Sequence, residues 1–333
     1  MSTLLEENAP SAQGAEAPDP EVGRTEIRVK GKPVRVPSVN IEGRTVVVTG
    51  KWIRNASIQD EDLWEGETAP DAKAFISKLK QQRLGADILT FTQRIPDTER
   101  RYDFYMEEEI AAALPITTYE HWWKECTEYS VRKAVNKAKK SGVDTRVIEF
   151  NDRFVTGVCQ IYAESRARQG RAFWHYNKDF QTVKKELETY LDRSVYLGAY
   201  LENELIGSMK ITYVGPTAAI MQIFCSQSHF DKRPNNALIA KAVEVCERDR
   251  KSHLIYGSFV YNDLNTTLTE FKRRHGFEPF PLPRYYVPLT LKGTFALKFG
   301  LHRGFAGSIP PALLMRYRMI RAAWYARAAK RAK

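Results

Sequence analysis

The stretch from Ser194 to Arg248 constrains the fold more than any other part of the chain. Three runs of strand-forming residues (194–201, 204–213 and 218–226) stand nearly end to end, parted only by Glu202-Asn203 and by Gly215-Pro216. Connections that short join antiparallel neighbours. Residues 236–248 then place Leu238, Ile239, Ala242, Val243 and Cys246 on one face, which is helical spacing. A strand over 253–260 follows. Antiparallel hairpins feeding a strand–helix–strand end describe a mixed α/β sheet flanked by helices.

The rest of the second half extends this pattern. A strand is expected over 145–150, and a helix over 153–169 with Asp152 as N-cap and Gly170 as stop. Another helix is expected over 176–191, a further one over 264–275, and a last strand over 284–289. In the first half, 45–49 and 88–92 read as strands, and 71–84 as a helix carrying Ala74, Phe75 and Leu79. A helix from Tyr119 through Trp122 and Trp123 to Lys140, stopped by Gly142, closes that half. Residues 1–40 read as a disordered tail: the first twenty hold four acids, no bases and many Ala, Pro and Ser.

Composition excludes some classes. No run approaches the roughly 18 apolar residues that span a bilayer, and the N-terminus lacks the order of a secretory signal, so a cytoplasmic protein is expected. Cys126, Cys159, Cys225 and Cys246 are scattered without disulfide or zinc spacing. No carboxylate–histidine cluster suggests a metal. The net charge is +11, yet residues 291–333 alone hold ten Lys or Arg and no acid. The body is therefore nearly neutral, and a broad DNA-binding face is not expected.

Several phrases share a further likeness. Arg132-Lys133-Ala134 with Lys137, Lys140 and Gly142 forms a basic, glycine-ended helix. The pair Tyr196-Leu197-Gly198-Ala199-Tyr200 and Glu204-Leu205-Ile206-Gly207-Ser208 forms a central hairpin, and Pro234-Asn235-Asn236-Ala237-Leu238-Ile239 opens a helix. Phe271-Lys272, Gly276-Phe277 and Pro283-Arg284-Tyr285-Tyr286 close the set. In this order, over about half the chain, they resemble the FemAB-like and BioF2-like branch of the GNAT N-acyltransferases. The resemblance implies a GNAT-like mixed sheet in two tandem units, a degenerate one in 41–150 and an acyltransferase domain in 151–290, followed by a basic helical tail in 291–333. It also implies transfer of an acyl group to an amine, from acyl-CoA in GNAT enzymes or from aminoacyl-tRNA in FemAB-type ligases.

Acyl transfer to an amine needs a neutral amine, a polarised carbonyl and room for the leaving group. The resemblance places the donor from Ser226 to Leu238, with Asn235 as a helix cap and Asn236, Ala237 and Leu238 in the first turn. Lys232 and Arg233 add charge, and backbone N–H groups at a helix start suit pyrophosphate. The glycine-rich phosphate loop of acetyl-CoA enzymes is absent, and Asn235 could simply cap the helix while Lys232 and Arg233 are solvated. Gln222 stands near where GNAT enzymes often carry a carboxylate; Gln cannot act as a base, but it could orient a substrate or simply be buried and hydrogen-bonded. Tyr261 could protonate a leaving thiolate. Asn262 lies beside it for substrate binding, unless it caps the next helix.

Trp174, His175 and Tyr176 could shape an acceptor pocket, with His175 the one histidine there suited to base catalysis; core packing is the competing reading. Lys133 and Lys137, with Lys140, share a helical stripe that could meet phosphate or tRNA or could be solvated. His275, at a helix end, is explained by a dipole contact. In the tail, residues 312–330 set Leu313, Tyr317, Ile320 and Trp324 on one face among arginines. That pattern suits an anionic membrane surface on the cytoplasmic side, docking on the protein's own body, or a phosphate-bearing regulator or nucleic acid. The leading expectation is an N-acetyltransferase-like enzyme that uses acetyl-CoA or another acyl-CoA to modify an amino sugar or other envelope or polysaccharide precursor. The alternatives are tRNA-dependent aminoacyl transfer to a peptidoglycan-like precursor and a non-catalytic sensing or tethering module.

Overall fold

The computed structural model describes residues 22–29, 32–61, 71–168, 171–260 and 267–303. The first half runs β1 (Gly23–Val29), β2 (Lys32–Ile41), β3 (Arg44–Thr49), β4 (Asn55–Ile58), α1 (Ala72–Gln81), β5 (Ile88–Thr92) and β6 (Tyr105–Pro115). Next come α2 (Tyr119–His121), α3 (Tyr129–Lys140), β7 (Val143–Ile148), α4 (Asp152–Ala163), the two-residue strands β8 (Ala167–Arg168) and β9 (Arg171–Ala172), and α5 (Phe180–Leu187). The chain continues as β10 (Ser194–Leu201), β11 (Glu204–Val214), β12 (Thr217–Cys225), α6 (Pro234–Arg248), β13 (His253–Ser258), α7 (Thr267–Arg274), β14 (Glu278–Pro288) and α8 (Leu291–Lys298).

Twelve strands form one sheet in the order β1-β2-β3-β4-β5-β14-β6-β13-β12-β11-β10-β7. Read inward from each edge, the two halves have the same topology. Antiparallel pairs lead to one parallel pair, β4 with β5 and β12 with β13, each crossed over by a helix, α1 or α6. Each half then receives a strand from the other. β14 lies between β5 and β6, and β6 lies between β13 and β14. This is the tandem, GNAT-like architecture that the sequence motifs implied. Among the described residues the halves differ in their insertions: α4, the β8–β9 hairpin and α5 separate β7 from β10, and α7 separates β13 from β14, whereas β2 is the next element after β1 and β6 the next after β5.

Four apolar clusters fill the faces. One joins α6 to β10–β13 and takes in Trp122; another lies beneath α1; the third joins α4 and α5 to β10 and β11; and the fourth packs on the central strands around Leu282 and Ala113. Asp71 caps α1 as a carboxylate should, its side chain accepting from Lys73 N and Ala74 N. Gly142 turns out of α3 at φ +81°, a left-handed conformation that glycine adopts without strain.

Some expectations need correction. Within the expected tail 1–40, residues 23–29 and 32–40 are not tail but the hairpin β1–β2; residues 1–21, 30 and 31 lie outside the described ones. The helix expected from Tyr119 to Lys140 is broken. One π-turn, Trp122–Cys126, follows α2, and Thr127 leaves the helix at φ −92°, ψ 142°. Trp122 is buried there with its indole N–H donating to His275 O at 2.9 Å, and Arg132 donates to Thr127 O at 2.5 Å. α4 stops at Ala163, six residues early, because Arg168 turns back to bond Ile161 O at 2.8 Å and Cys225 O at 2.9 Å. Its N-cap is Asn151, not Asp152. α3 and β7 pack on α6 and β10 of the second half, so that half begins before residue 151.

The exchange makes a folding prediction. A chain ending at Phe277 loses β14 from between β5 and β6, which leaves both halves with unpaired strand edges. Scanning calorimetry of that truncation should show no surviving transition for the first half alone.

Candidate active site

The site is built where β12 and β13 part. They pair only at Thr217–Ala219 with His253–Ile255, and β12 runs on to Cys225 without that partner. A bulge helps the divergence: Lys210 pairs with Gln222 but Ile211 with Ile220, so Met221 is the extra residue. β11 still holds the end of β12, since Ser226 N donates to Ile206 O at 2.8 Å.

α6 begins over this gap. Its N-cap is Arg233 at φ +60°, with Pro234 in the first turn, so Asn235 lies inside the helix and is not its cap. Pro234 has no N–H, and Asn236 N and Ala237 N both point to Arg233 O at 3.1 and 3.3 Å. Among the described residues, Asn235 is thus the only first-turn position whose N–H has no partner. Its side-chain oxygen is buried without a hydrogen-bond partner. Ala237 and Leu238 are buried, and Leu238 packs on Gly207, so they offer backbone rather than side chain. Ser226 is buried with its hydroxyl 3.2 Å from His229 Nδ1. Lys232 reaches only Asp231, at 4.0 Å, and Arg233 lies over the Phe230 ring at 5.8 Å.

On the α4–α5 side, the Tyr162 hydroxyl donates to Gln222 Oε1 at 3.1 Å. Burial, with Glu186 nearby, raises the phenol far above its ordinary range, so it remains a donor. The Gln222 amide group is left to donate to a ligand. His175 is buried among Tyr162, Phe173 and Phe224, with Nδ1 3.3 Å from Lys178 Nζ. Burial and the cations Lys178 and Arg168 lower its pKa to about 3. That imidazole is neutral and a poor proton acceptor at pH 7, so the geometry does not suit a general base. Trp174, by contrast, is 60% exposed with Lys178 Nζ over its ring at 4.1 Å, and Tyr176 bonds Arg166 at 3.4 Å. Lys178 pairs with the buried Glu186 at 2.6 Å, which fixes the ammonium under the indole.

α7 closes the other side, and it carries a buried lysine that sequence reasoning did not single out. Lys272 is fully buried and donates to Ser258 O, at the end of β13, at 2.7 Å; its ammonium lies 4.7 Å from the Tyr256 ring centre. Burial lowers its pKa to about 7. The signal in the sequence was a lysine following Phe271 within an amphipathic turn, which cannot be told from a solvated one. His275 links α7 to α6: Nδ1–H donates to Phe271 O at 2.6 Å, and Nε2 meets the Asn236 amide at 3.1 Å. Burial lowers it to about 4, so its contact with the helix end is a neutral hydrogen bond and not a charge–dipole one.

Tyr261 and Asn262 lie outside the described residues. Lys133 and Lys137 are not at the gap; they line a groove of about 560 Å³ on the outer face of α3 with Trp123, Tyr129, Asn136 and Lys140. Cys225, at the end of β12, is pushed up to about 11 by burial and is not a nucleophile. Among the described residues no group of three or more His, Cys, Asp or Glu is placed to hold a metal.

No family model matches the chain, and no curated protein matches it in sequence. Its fold does match solved structures. FemX aligns over 84% of this chain and 90% of its own, with a TM-score of 0.56 and 10% identity. L-PGS from Bacillus licheniformis aligns over 77% and 84%, with a TM-score of 0.50 and 14% identity. The C-terminal domain of a putative lysylphosphatidylglycerol synthetase from Agrobacterium fabrum aligns over 79% and 87%, with a TM-score of 0.50 and 13% identity. The chain has the FemAB-like form of the GNAT fold.

The buried bases set the response to pH. Below 6.5, the ordinary value for histidine, an unfolded chain binds protons that His175 and His275 in the folded chain do not. Stability therefore falls as pH drops from 6.5 towards about 4 for His275 and about 3 for His175. His275→Gln should shrink that loss by up to about 3 kcal/mol in urea unfolding. Lys272 acts in the other window. Its folded pKa of about 7 lies below the ordinary 10.5, so stability rises with pH between them. Lys272→Met should remove that rise and leave stability at pH 7 equal or higher.

Proposed function

We propose that this chain is an acyltransferase whose reaction centre is the gap between β12 and β13, with an aminoacyl group carried on tRNA as the donor. The observation that carries the reading is Lys272. A buried ammonium with a pKa of about 7, held at the end of β13, can hydrogen-bond the oxyanion that forms when an amine attacks an ester carbonyl. Its low pKa also allows it to give its proton to the leaving hydroxyl. Gln222, held by Tyr162, orients the carbonyl or the amine from the facing strand.

The start of α6 supports the tRNA donor over acyl-CoA. A pyrophosphate needs several backbone N–H groups, and this first turn offers one. A tRNA ester needs no pyrophosphate cradle, but it does need cations for a long phosphate chain. Lys133, Lys137 and Lys140 line the α3 groove, without ion pairs among the described residues, beside Tyr129 and Trp123. The acyl-CoA reading rests on Lys232 and Arg233, whose side chains would have to replace the missing backbone donors. The names of two of the matching structures concern lysylphosphatidylglycerol synthesis; for this chain they favour an envelope precursor as acceptor.

The donor assay is direct. Label from a mixed aminoacyl-tRNA pool should pass to an envelope lipid extract when the chain is added, while label from acetyl-CoA should not. Transfer from acetyl-CoA alone would replace the tRNA reading. Lys133→Glu with Lys137→Glu should weaken tRNA binding and reduce its salt slope by about one unit for each phosphate that a lysine no longer neutralises. An unchanged slope would mean that tRNA does not bind in that groove.

A further inference from the structure

α8 presents apolar side chains to solvent. Leu291, Phe295 and Phe299 follow one another at intervals of four residues and are 91%, 58% and 56% exposed. The two phenylalanine rings touch with centroids 4.4 Å apart and planes tilted by 39°. Trp52, in the turn between β3 and β4, is 60% exposed, and its backbone carbonyl oxygen accepts from Lys292, which ties that turn to the start of α8. Four large apolar side chains are thus exposed on two segments tied to each other.

The support is built firmly. Thr290 caps α8 through Gly293 N and also bonds Asp87 at 3.0 Å, and Lys292 pairs with Asp87 at 3.2 Å. Gly293 is seated so closely that a Cβ there would lie 2.0 Å from Asp87 O. α8 thus packs on the body through the small residues Gly293 and Ala296 and turns its largest apolar residues outward.

The charge around the patch is mainly basic, although Lys292 already pairs with Asp87. Lys51 adjoins Trp52, and Lys292 and Lys298 flank the phenylalanines. From Leu291 to Lys333 the chain has ten Lys or Arg and no Asp or Glu. Aromatic and aliphatic side chains ringed by lysine suit the boundary between acyl chains and anionic headgroups. A protein partner of ordinary composition would leave those lysines to be paired one by one.

The sheet also fixes where the patch lies. β12, β13 and β14 all run the same way, since β13 is parallel to β12 and both β13 and β14 are antiparallel to β6. α6 starts after the end of β12, and α8 starts after the end of β14. The patch and the reaction gap therefore open on the same edge of the sheet.

We propose that the α8–Trp52 face docks on an anionic phospholipid bilayer and so turns the reaction gap towards acceptors held in that surface. The orienting role rests on the function proposed above; the docking does not.

The test uses the whole chain and sedimentation with vesicles. Binding to vesicles of equimolar phosphatidylglycerol and phosphatidylcholine is expected, with little binding to phosphatidylcholine alone. Leu291→Ser, Phe295→Ser and Phe299→Ser together should weaken it about tenfold or more, while transfer to a water-soluble acceptor is unchanged. The proposal falls if the triple variant binds as the wild type does, if removal of 304–333 alone abolishes binding, or if the triple variant instead dissolves a dimer. Loss of transfer with docking intact would count against the acyltransferase reading and leave this one standing.

Discussion

The β6–β14 pairing is the contact on which the molecule depends. Nine register positions, from Glu278 with Ala113 to Tyr286 with Tyr105, join the last strand of each half. Each strand also lines the other half, β14 against β5 and β6 against β13. Neither half can bury its own face or fill its own edge alone, so the two fold as one sheet. The small side chains of Ala111, Ala112 and Ala113, all at 0% exposure, let this crowded centre close. At its outer end Arg284 pairs with Glu109 at 2.8 Å, and His302 with Glu107 at the same distance.

That frame leaves the halves free to differ where it matters. Both have a parallel pair that splays beneath a helix, but only the second has α4 and α5 over the neighbouring strands. Those helices bring Tyr162 to Gln222 and bury His175 behind them. α7 brings Lys272 to the end of β13, and His275 ties α7 to the first turn of α6. Four elements thus surround one gap, and at its edge burial brings the pKa of Lys272 down to about 7.

Much of the second half was legible because its turns are short and its helix face is unambiguous. The hairpin Ser194–Leu201 to Glu204–Val214 and the α6 crossover follow from spacing alone. β6 was not legible. Glu107-Glu108-Glu109 and Ala111-Ala112-Ala113 have helical propensity, and only the two flanking strands force them to extend. β1 and β2 were hidden by the acidic tail before them. At the site, the resemblance pointed to Gln222 and the α6 start, and both lie where β12 and β13 part. Asn235 as a cap failed because Arg233 takes the left-handed position. Lys272 was invisible, since burial of a lysine depends on what packs around it and not on its neighbours in sequence.

The most direct test is the pH dependence of single-turnover transfer in the wild type and in Lys272→Arg. The account predicts that the wild-type rate falls as pH rises through about 7, and that arginine, which stays charged, removes that limb even where its overall rate is lower. A limb that persists unchanged in Lys272→Arg, or a wild-type profile with no break near neutral pH, would contradict the assignment of Lys272 to the reaction centre.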